Sequence, residues 1–484
     1  MEQQEYDMVI DGERRAAAST LSVENPATGE LVGRVASGDA DDAAAAIDAA
    51  AAAADDWARS SPADRAASLR TIADRIEAEA DDLAALLSAE AGKPLPTAEG
   101  EVAETIAQYR FYAGVTDKVR GDTIPTAENR FNYTKRSPYG VTAHVVPWNY
   151  PLLLGTRGFA SALATGNTLV VKPPSLAPLS TMWVGEVMAD ATPDGVVNLV
   201  PGPGSEVGAE LASSGGVDAI TFTGSTGVGR GVLEAAAEHI TPVDVELGGK
   251  APAIVLDDAD VENAARGVVA GIFSNAGQNC VATSRCLVHE DVHDELVEAV
   301  VEKTERITLG EGRDSETDMG PVISADAQAD VLDYVDSAVE EGATLLTGGS
   351  VPDDPDLADG HFVEPTVFDD VTPDMTIACE EIFGPVLGFV TVSSAEEAIE
   401  VANDSPFGLA ASLWTESIDA TQLADRLDHG LVAINTFPVS MPQSPWGGNK
   451  ESGIGREGGL EGVEAFTTVD SVVIEHDEMG EPYE

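Results

Sequence analysis

Lysine is nearly missing from this chain: seven in 484 residues, at Lys93, Lys118, Lys135, Lys172, Lys250, Lys303 and Lys450. Lysine and arginine together number 26 against 85 acidic residues, a formal net charge of −59. That balance argues against a nucleic-acid partner, since neutralising phosphates requires a basic face. An anionic membrane surface is equally unsuited. Cysteine is as scarce. Cys280, Cys286 and Cys379 cannot build a disulfide framework, which points to a reducing, cytoplasmic setting. The opening Met1-Glu2-Gln3-Gln4-Glu5 carries no apolar leader. Long apolar runs are missing too: the alanine tract near 43–54 is broken by Asp48 and closes on Asp55-Asp56, so it cannot span a bilayer.

What is present is ordinary for a folded protein: 43% hydrophobic and 23% charged residues, with length for about three domains at roughly 150 residues each. Disorder would need low hydrophobicity as well as charge, and here acids alternate with apolar positions, as in Asp291-Val292-His293-Asp294-Glu295-Leu296-Val297. The composition describes an acidic shell around a normal core, resembling that of a salt-in halophile, where salt screens self-repulsion.

Residues 41–120 read as helices, with apolar residues at helical spacing from Leu69 to Leu87 and a stop at Gly92 and Pro94. After residue 140 the pattern changes to short strands alternating with helices. Strands are expected at 141–146, 168–171, 196–200, 219–223 and 243–247, and helices near 151–165, 180–190, 205–213 and 227–238. Such alternation predicts a parallel, doubly wound sheet. A second α/β region runs from about 248 to 447, with helices near 260–273, 291–306 and 324–341. A β-rich stretch, 467–474, closes the chain and needs a partner from this chain or another subunit.

Several segments carry chemistry. Phe222-Thr223-Gly224-Ser225-Thr226-Gly227 joins a predicted strand to a predicted helix, where backbone N–H groups can approach a phosphate; a plain tight turn reads equally well. Glu246 ends an apolar strand before Gly248-Gly249-Lys250, a good place for a general base or simply for a surface carboxylate. Cys280 lies in polar Gly277-Gln278-Asn279-Cys280, where a buried inert cysteine is, taken alone, the commoner reading; Cys286 and Cys379 fit that inert reading well. His289-Glu290-Asp291-Val292-His293 matches a zinc pattern that requires both histidines on one helix face. Here His289 ends a strand and Asp291 reads as the N-cap of the next helix, so the histidines should diverge and no metal is expected.

Taken in order, Pro147-Trp148-Asn149-Tyr150-Pro151, Val171-Lys172-Pro173-Pro174-Ser175, Phe222-Thr223-Gly224-Ser225, Glu246-Leu247-Gly248-Gly249-Lys250, Gly277-Gln278-Asn279-Cys280, Glu380-Glu381-Ile382-Phe383-Gly384-Pro385 and Pro445-Trp446-Gly447-Gly448 resemble the aldehyde dehydrogenase superfamily over essentially the whole chain. With its acidic composition, the chain resembles a haloarchaeal member. The resemblance implies a Rossmann-type dinucleotide-binding domain (1–122 and 141–247), an α/β catalytic domain (248–447) and a small β oligomerisation arm (123–140 and 448–484). The terminal strand would then be an intersubunit extension.

The resemblance also implies roles. Cys280 would attack an aldehyde, Asn149 and the Cys280 backbone N–H would hold the oxyanion, and Glu246 would activate the hydrolytic water. NAD or NADP would lie against Trp148, Lys172, Ser175, Gly224, Ser225, Leu247, Glu381 and Phe383. Ser175 replaces the Glu that repels a 2′-phosphate in some members, so NADP should be accepted. Arg157 stands where many members carry Trp, and resembles members acting on succinate semialdehyde or lactaldehyde. The expected substrate is therefore a short carboxylated semialdehyde, with lactaldehyde or a broad aldehyde range as alternatives, and the chain should pair with itself as a dimer or tetramer. A coenzyme-A-acylating member would lack Glu246, and a silent one has no reason to keep Cys280, Asn149 and Glu246 together. One departure stands out. Gly158 and Thr468 occupy the places where many relatives pair a Lys with a Glu as a proton route.

Overall fold

The computed structural model describes residues 3–475. The strands expected between 141 and 247 form the centre of an eight-stranded sheet. In space they run Val243–Glu246, Ala219–Thr223, Val141–Val145, Thr168–Lys172, Val197–Leu199, all parallel. This is the doubly wound order, which reverses between Ala219–Thr223 and Val141–Val145 and so opens a crevice at their carboxyl ends. Side chains alternate across Thr168–Lys172. Leu169 and Val171 pack under the helices Pro62–Ala78, Leu95–Ala113 and Leu179–Asp190, while Val170 faces Ala40–Arg59 and its neighbours. Both edges are covered by antiparallel strands, Met8–Ile10 on one side and Gly453–Ile454 on the other.

A second sheet of seven strands carries the other core. Its parallel strands lie in the order Thr366–Asp369, Val386–Val392, Arg285–His289, Pro252–Val255, Ala410–Trp414, Leu431–Ile434, with Thr344–Thr347 antiparallel at one edge. The terminal strand Thr467–Glu475 is no orphan: it pairs antiparallel with Arg130–Pro138 of the same chain, from Thr467 opposite Pro138 to Glu475 opposite Arg130. Residues 476–484 of the expected arm lie outside the described residues. The stretch 448–466 departs from the expected arm. Gly453–Ile454 closes the eight-stranded sheet, and Asn449–Lys450 pairs with Phe407–Gly408.

The structure departs from the local sequence pattern in three places. The helical stretch ending at Gly92 is two helices, Pro62–Ala78 and Ala80–Ala91, broken at Glu79 (φ −123°). The strands between residues 4 and 37 are unexpected: three of the five are only three residues long, and Met8–Ile10 joins the large sheet through Val197–Leu199, far along the chain. Asp291 does not cap the following helix, which starts at His293 after Val292. His289 Nδ1 instead accepts from Asp291 N at 3.2 Å, and the ring nitrogens of His293 meet Asp294 and Asp369, each at 3.0 Å.

Candidate active site

The crevice at the sheet's reversal point is a cleft of about 460 Å³ that contains every residue expected at the cofactor and the chemistry. Trp148, Asn149, Lys172, Ser175, Gly224, Ser225, Glu246, Leu247, Cys280, Glu381 and Phe383 all line it. A smaller tunnel of about 150 Å³ adjoins it, lined by Tyr150, Leu153, Arg157, Phe437, Ser440 and Trp446 among others. Cys280 lines both. The thiol therefore sits where the two spaces meet.

The cleft fits a dinucleotide. The helix Thr226–Ala236 presents its N-terminus there, with Ser225 as N-cap accepting from Val228 N at 3.4 Å. Lys172, at the end of its strand, is buried in the wall with Nζ on Pro173 O (3.0 Å), and burial pulls its pKa down to about 8. Ser175 is exposed on the loop beyond it. Glu381 accepts from Gly249 N at 3.0 Å, and burial pushes its carboxyl up to about 7. A Cβ on Gly248 would collide with that carboxylate and push it from its place on Gly249 N. Trp148 and Phe383 meet edge to face at 5.4 Å.

The Cys280 loop is held by side-chain amides. Asn275, Ala276 and Gly277 are consecutive left-handed residues (φ 53°, 55° and 73°), a turn that costs energy at the two non-glycines. It is fixed by Asn275 Nδ2 on Asn149 O (3.3 Å), Gln278 Nε2 on Asn275 O (3.0 Å) and Ile323 N on Gln278 Oε1 (2.8 Å). Asn149 Nδ2 donates to Gln278 O at 3.1 Å, which leaves its second N–H for a substrate oxygen. Burial pushes the Cys280 thiol up to about 12, with the Glu381 and Glu246 charges adding to it and Arg157 opposing.

Glu246 stands in the same cleft, buried, with both carboxylate oxygens free of hydrogen bonds. Burial, then the charges of Glu457 and Asp244, hold its pKa well above the carboxylate range, against Arg157 and Arg456. Glu457 escaped the sequence reading. It is anchored by a backbone bridge to Trp446 (2.7 and 2.8 Å), and its own carboxyl is pushed up to about 8 by burial and by Asp244. Its only signal was an acid inside Gly455-Arg456-Glu457-Gly458-Gly459. The expectation for Thr468 is corrected, because that residue is exposed on the arm, opposite Ser137; the C-terminal acid whose charge bears on Glu246 is Glu457. Gly158 is indeed without room for a longer side chain. A Cβ there would lie 2.8 Å from His144 Nδ1, a ring held between Thr142 and Thr221 and kept neutral by burial.

Arg157 turns inward from the helix Pro151–Thr165, every residue of which is buried. One nitrogen donates to Ser440 Oγ at 2.7 Å, the guanidinium lies 4.2 Å above the Trp446 ring, and the other terminal nitrogen, Nη1, has no partner.

A Rossmann-type cleft meeting a substrate tunnel at a cysteine, with a buried carboxylate beside it, defines a cysteine-dependent aldehyde oxidoreductase. The sequence matches the aldehyde dehydrogenase family over residues 14–472, and the chain belongs to that family. It is 42% identical to the betaine aldehyde dehydrogenase of Bacillus subtilis, covering 96% of each chain. It is 41% identical to the alpha-ketoglutarate semialdehyde dehydrogenase of Haloferax volcanii, over 93% of this chain and 94% of that one. The NAD+ complex of the Bacillus cereus aldehyde dehydrogenase superposes with a TM-score of 0.95 at 42% identity, covering 98% and 97% of the two chains. The fold is that of the family, and the protein is an NAD(P)-dependent aldehyde dehydrogenase. Among the described residues, no helix is long and apolar enough to cross a membrane.

Proposed function

We propose that this dehydrogenase oxidises a short aldehyde bearing a carboxylate, such as succinate or 2-oxoglutarate semialdehyde. Lactaldehyde, or a broad range of aldehydes, is the second reading. The observation that carries the proposal is the free Nη1 of Arg157. A buried guanidinium nitrogen without an acceptor is costly, and a substrate carboxylate supplies one. The 150 Å³ tunnel is smaller than the roughly 300–1,000 Å³ of drug-sized sites, which suits a short chain. A quaternary ammonium is disfavoured by the positive charge of Arg157, which already lies over the Trp446 face of the tunnel. The names of relatives do not decide, since betaine aldehyde and alpha-ketoglutarate semialdehyde enzymes are about equally similar.

In this reading Cys280 Sγ adds to the aldehyde carbon while the Asn149 amide and the Cys280 backbone N–H hold the developing oxyanion. Bound NAD(P)+ supplies the hydride acceptor. The acyl group then stays on Cys280 as a thioester until a water, deprotonated by Glu246, releases the acid.

The test compares kcat/KM for succinate semialdehyde with that for butyraldehyde, which lacks the terminal carboxylate. A charge-assisted hydrogen bond is worth about 1.5–3 kcal/mol, so the acid should be preferred by at least about tenfold. Arg157→Ala should erase that preference. Because Arg157 also opposes the rise of Glu246, both rates should drop, and only the ratio reports recognition. A ratio unchanged in the variant ends the proposal.

Ser175 supports use of NADP alongside NAD, since its small hydroxyl puts no negative charge near an adenosine 2′-phosphate. Ser175→Glu should raise KM for NADP about tenfold or more with little change for NAD, through like-charge repulsion. Equal changes for both would place the discrimination elsewhere. The acidic shell and the Haloferax volcanii relative support a salt-rich cytoplasm as the working medium, where the Debye length falls to about 3 Å at molar salt. A chain equally stable at tens of millimolar salt would have no need of that shell. The exposed apolar residues Phe131, Val469 and Val473 on the arm support assembly with further copies of the chain, which sedimentation of the purified protein would detect.

A further inference from the structure

Lys93 is one of the few lysines this chain retains, and its side chain is wholly buried. It lies in the turn between the helices Ala80–Ala91 and Leu95–Ala113, far in sequence from the cleft. Its ammonium donates to Glu101 Oε2 at 2.5 Å and to the main-chain carbonyl of Asn149 at 2.7 Å, and lies 4.0 Å from the centre of the Tyr150 ring. The other oxygen of Glu101 accepts from Leu152 N (2.9 Å) and Leu153 N (3.3 Å). Those are first-turn amides of the helix Pro151–Thr165, whose N-cap Tyr150 offers no side-chain bond of its own.

The pair thus grips Asn149 from behind and the helix start from in front. Asn275 of the Cys280 loop donates to the same Asn149 carbonyl. The Asn149 backbone is held by both layers, while its side-chain amide points to Gln278 O. Stability alone is a poor reason for such an arrangement, because apolar replacements of a buried ion pair are often neutral or stabilising. What an ion pair supplies here, and an apolar pair does not, is directed hydrogen bonds to three named backbone groups.

We infer that Lys93, braced by Glu101, is a positioning residue for Asn149, fixing the main chain so that the free amide N–H faces the reacting carbonyl oxygen. The inference rests on the reading of Asn149 as the oxyanion donor. Such donors work only at close tolerance, and a misplacement of about 1 Å can cost about a hundredfold in rate.

The test is a double-mutant cycle on the full-length enzyme, with rates normalised to active sites. Asn149→Ala alone should lower kcat about 10²–10³-fold, the usual loss for one such donor. Lys93→Met should lower kcat about ten- to a hundredfold, with the dissociation constant for NAD(P) unchanged. In the Asn149→Ala background the same substitution should cost less than about threefold, because the donor it positions is gone. A purely structural role would shift the melting temperature equally in both backgrounds and leave the normalised kcat alone. Costs that multiply, or a kcat for Lys93→Met within about twofold of wild type, overturn the inference. An Asn149→Ala enzyme within tenfold of wild type instead overturns the donor reading. Should Lys93→Met not fold, Glu101→Gln keeps the shape and an acceptor for Leu152 N while removing the charge that holds Lys93. It must show the same non-additivity with Asn149→Ala, and multiplying costs there overturn the inference as well.

Discussion

Cys280→Ala is expected to abolish aldehyde oxidation while leaving NAD(P) binding intact. The thiol is the only sulfur at the junction of tunnel and cleft among the described residues. Cys286 is buried in the strand Arg285–His289, and Cys379 is exposed on a short helix. Neither lines the tunnel or the cleft, so neither can take over. The loop carrying Cys280 is held by Asn275, Gln278 and the backbone of Ile323, with no essential bond through sulfur; its one contact, to Asn279 Oδ1, is long at 3.8 Å. Alanine should therefore leave the loop and the cofactor walls in place. Loss of a covalent nucleophile typically costs a thousandfold or more. The measurement is steady-state NAD(P)H formation beside a fluorescence titration of the cofactor. More than about a hundredth of the wild-type rate would remove Cys280 from the nucleophile's role, and a lost cofactor titration would show that alanine had disturbed the cleft.

The parts of this protein that were readable in sequence are those whose signals are local. The parallel strands between 141 and 247 betray themselves by apolar runs separated by helical periods, and the structure places them within a residue or two. The cleft lies at the carboxyl ends of those strands, where Lys172, Thr223 and Glu246 stand, but its residues were legible only through the family resemblance. The break at Glu79 was invisible because Ala78-Glu79-Ala80 are good helix formers with no glycine or proline among them. Lys93, Glu101 and Glu457 were missed for another reason. Each acts on a residue tens or hundreds of positions away, such as Glu101 on Leu152 or Glu457 on Glu246, and spacing along the chain says nothing of such neighbours. Arg157 was legible only in part: its identity stood out, but its inward direction depends on a helix buried on all sides.

Glu246→Gln should separate the two halves of turnover, giving a burst of NAD(P)H close to one per active site and then a rate lowered about 10²–10⁴-fold, the range for losing a general base. Glutamine keeps the shape of the buried side chain but cannot accept a proton, so acylated Cys280 accumulates. The burst itself should be retained, because hydride transfer precedes the attack of the water that Glu246 activates. The pH dependence gives a second signature. Burial and the charges of Glu457 and Asp244 favour protonated Glu246, so the base is ionised only above the ordinary carboxylate range. Wild-type deacylation should therefore climb with pH across that raised titration and level off once Glu246 is ionised. In the glutamine variant that limb should disappear from the steady state. Stopped-flow traces across pH read both quantities from one preparation. A linear progress curve at near wild-type rate, with the pH limb intact, would mean that the water is activated by another group, and Glu457, buried behind Trp446 with one unpartnered oxygen, would be the residue to substitute next.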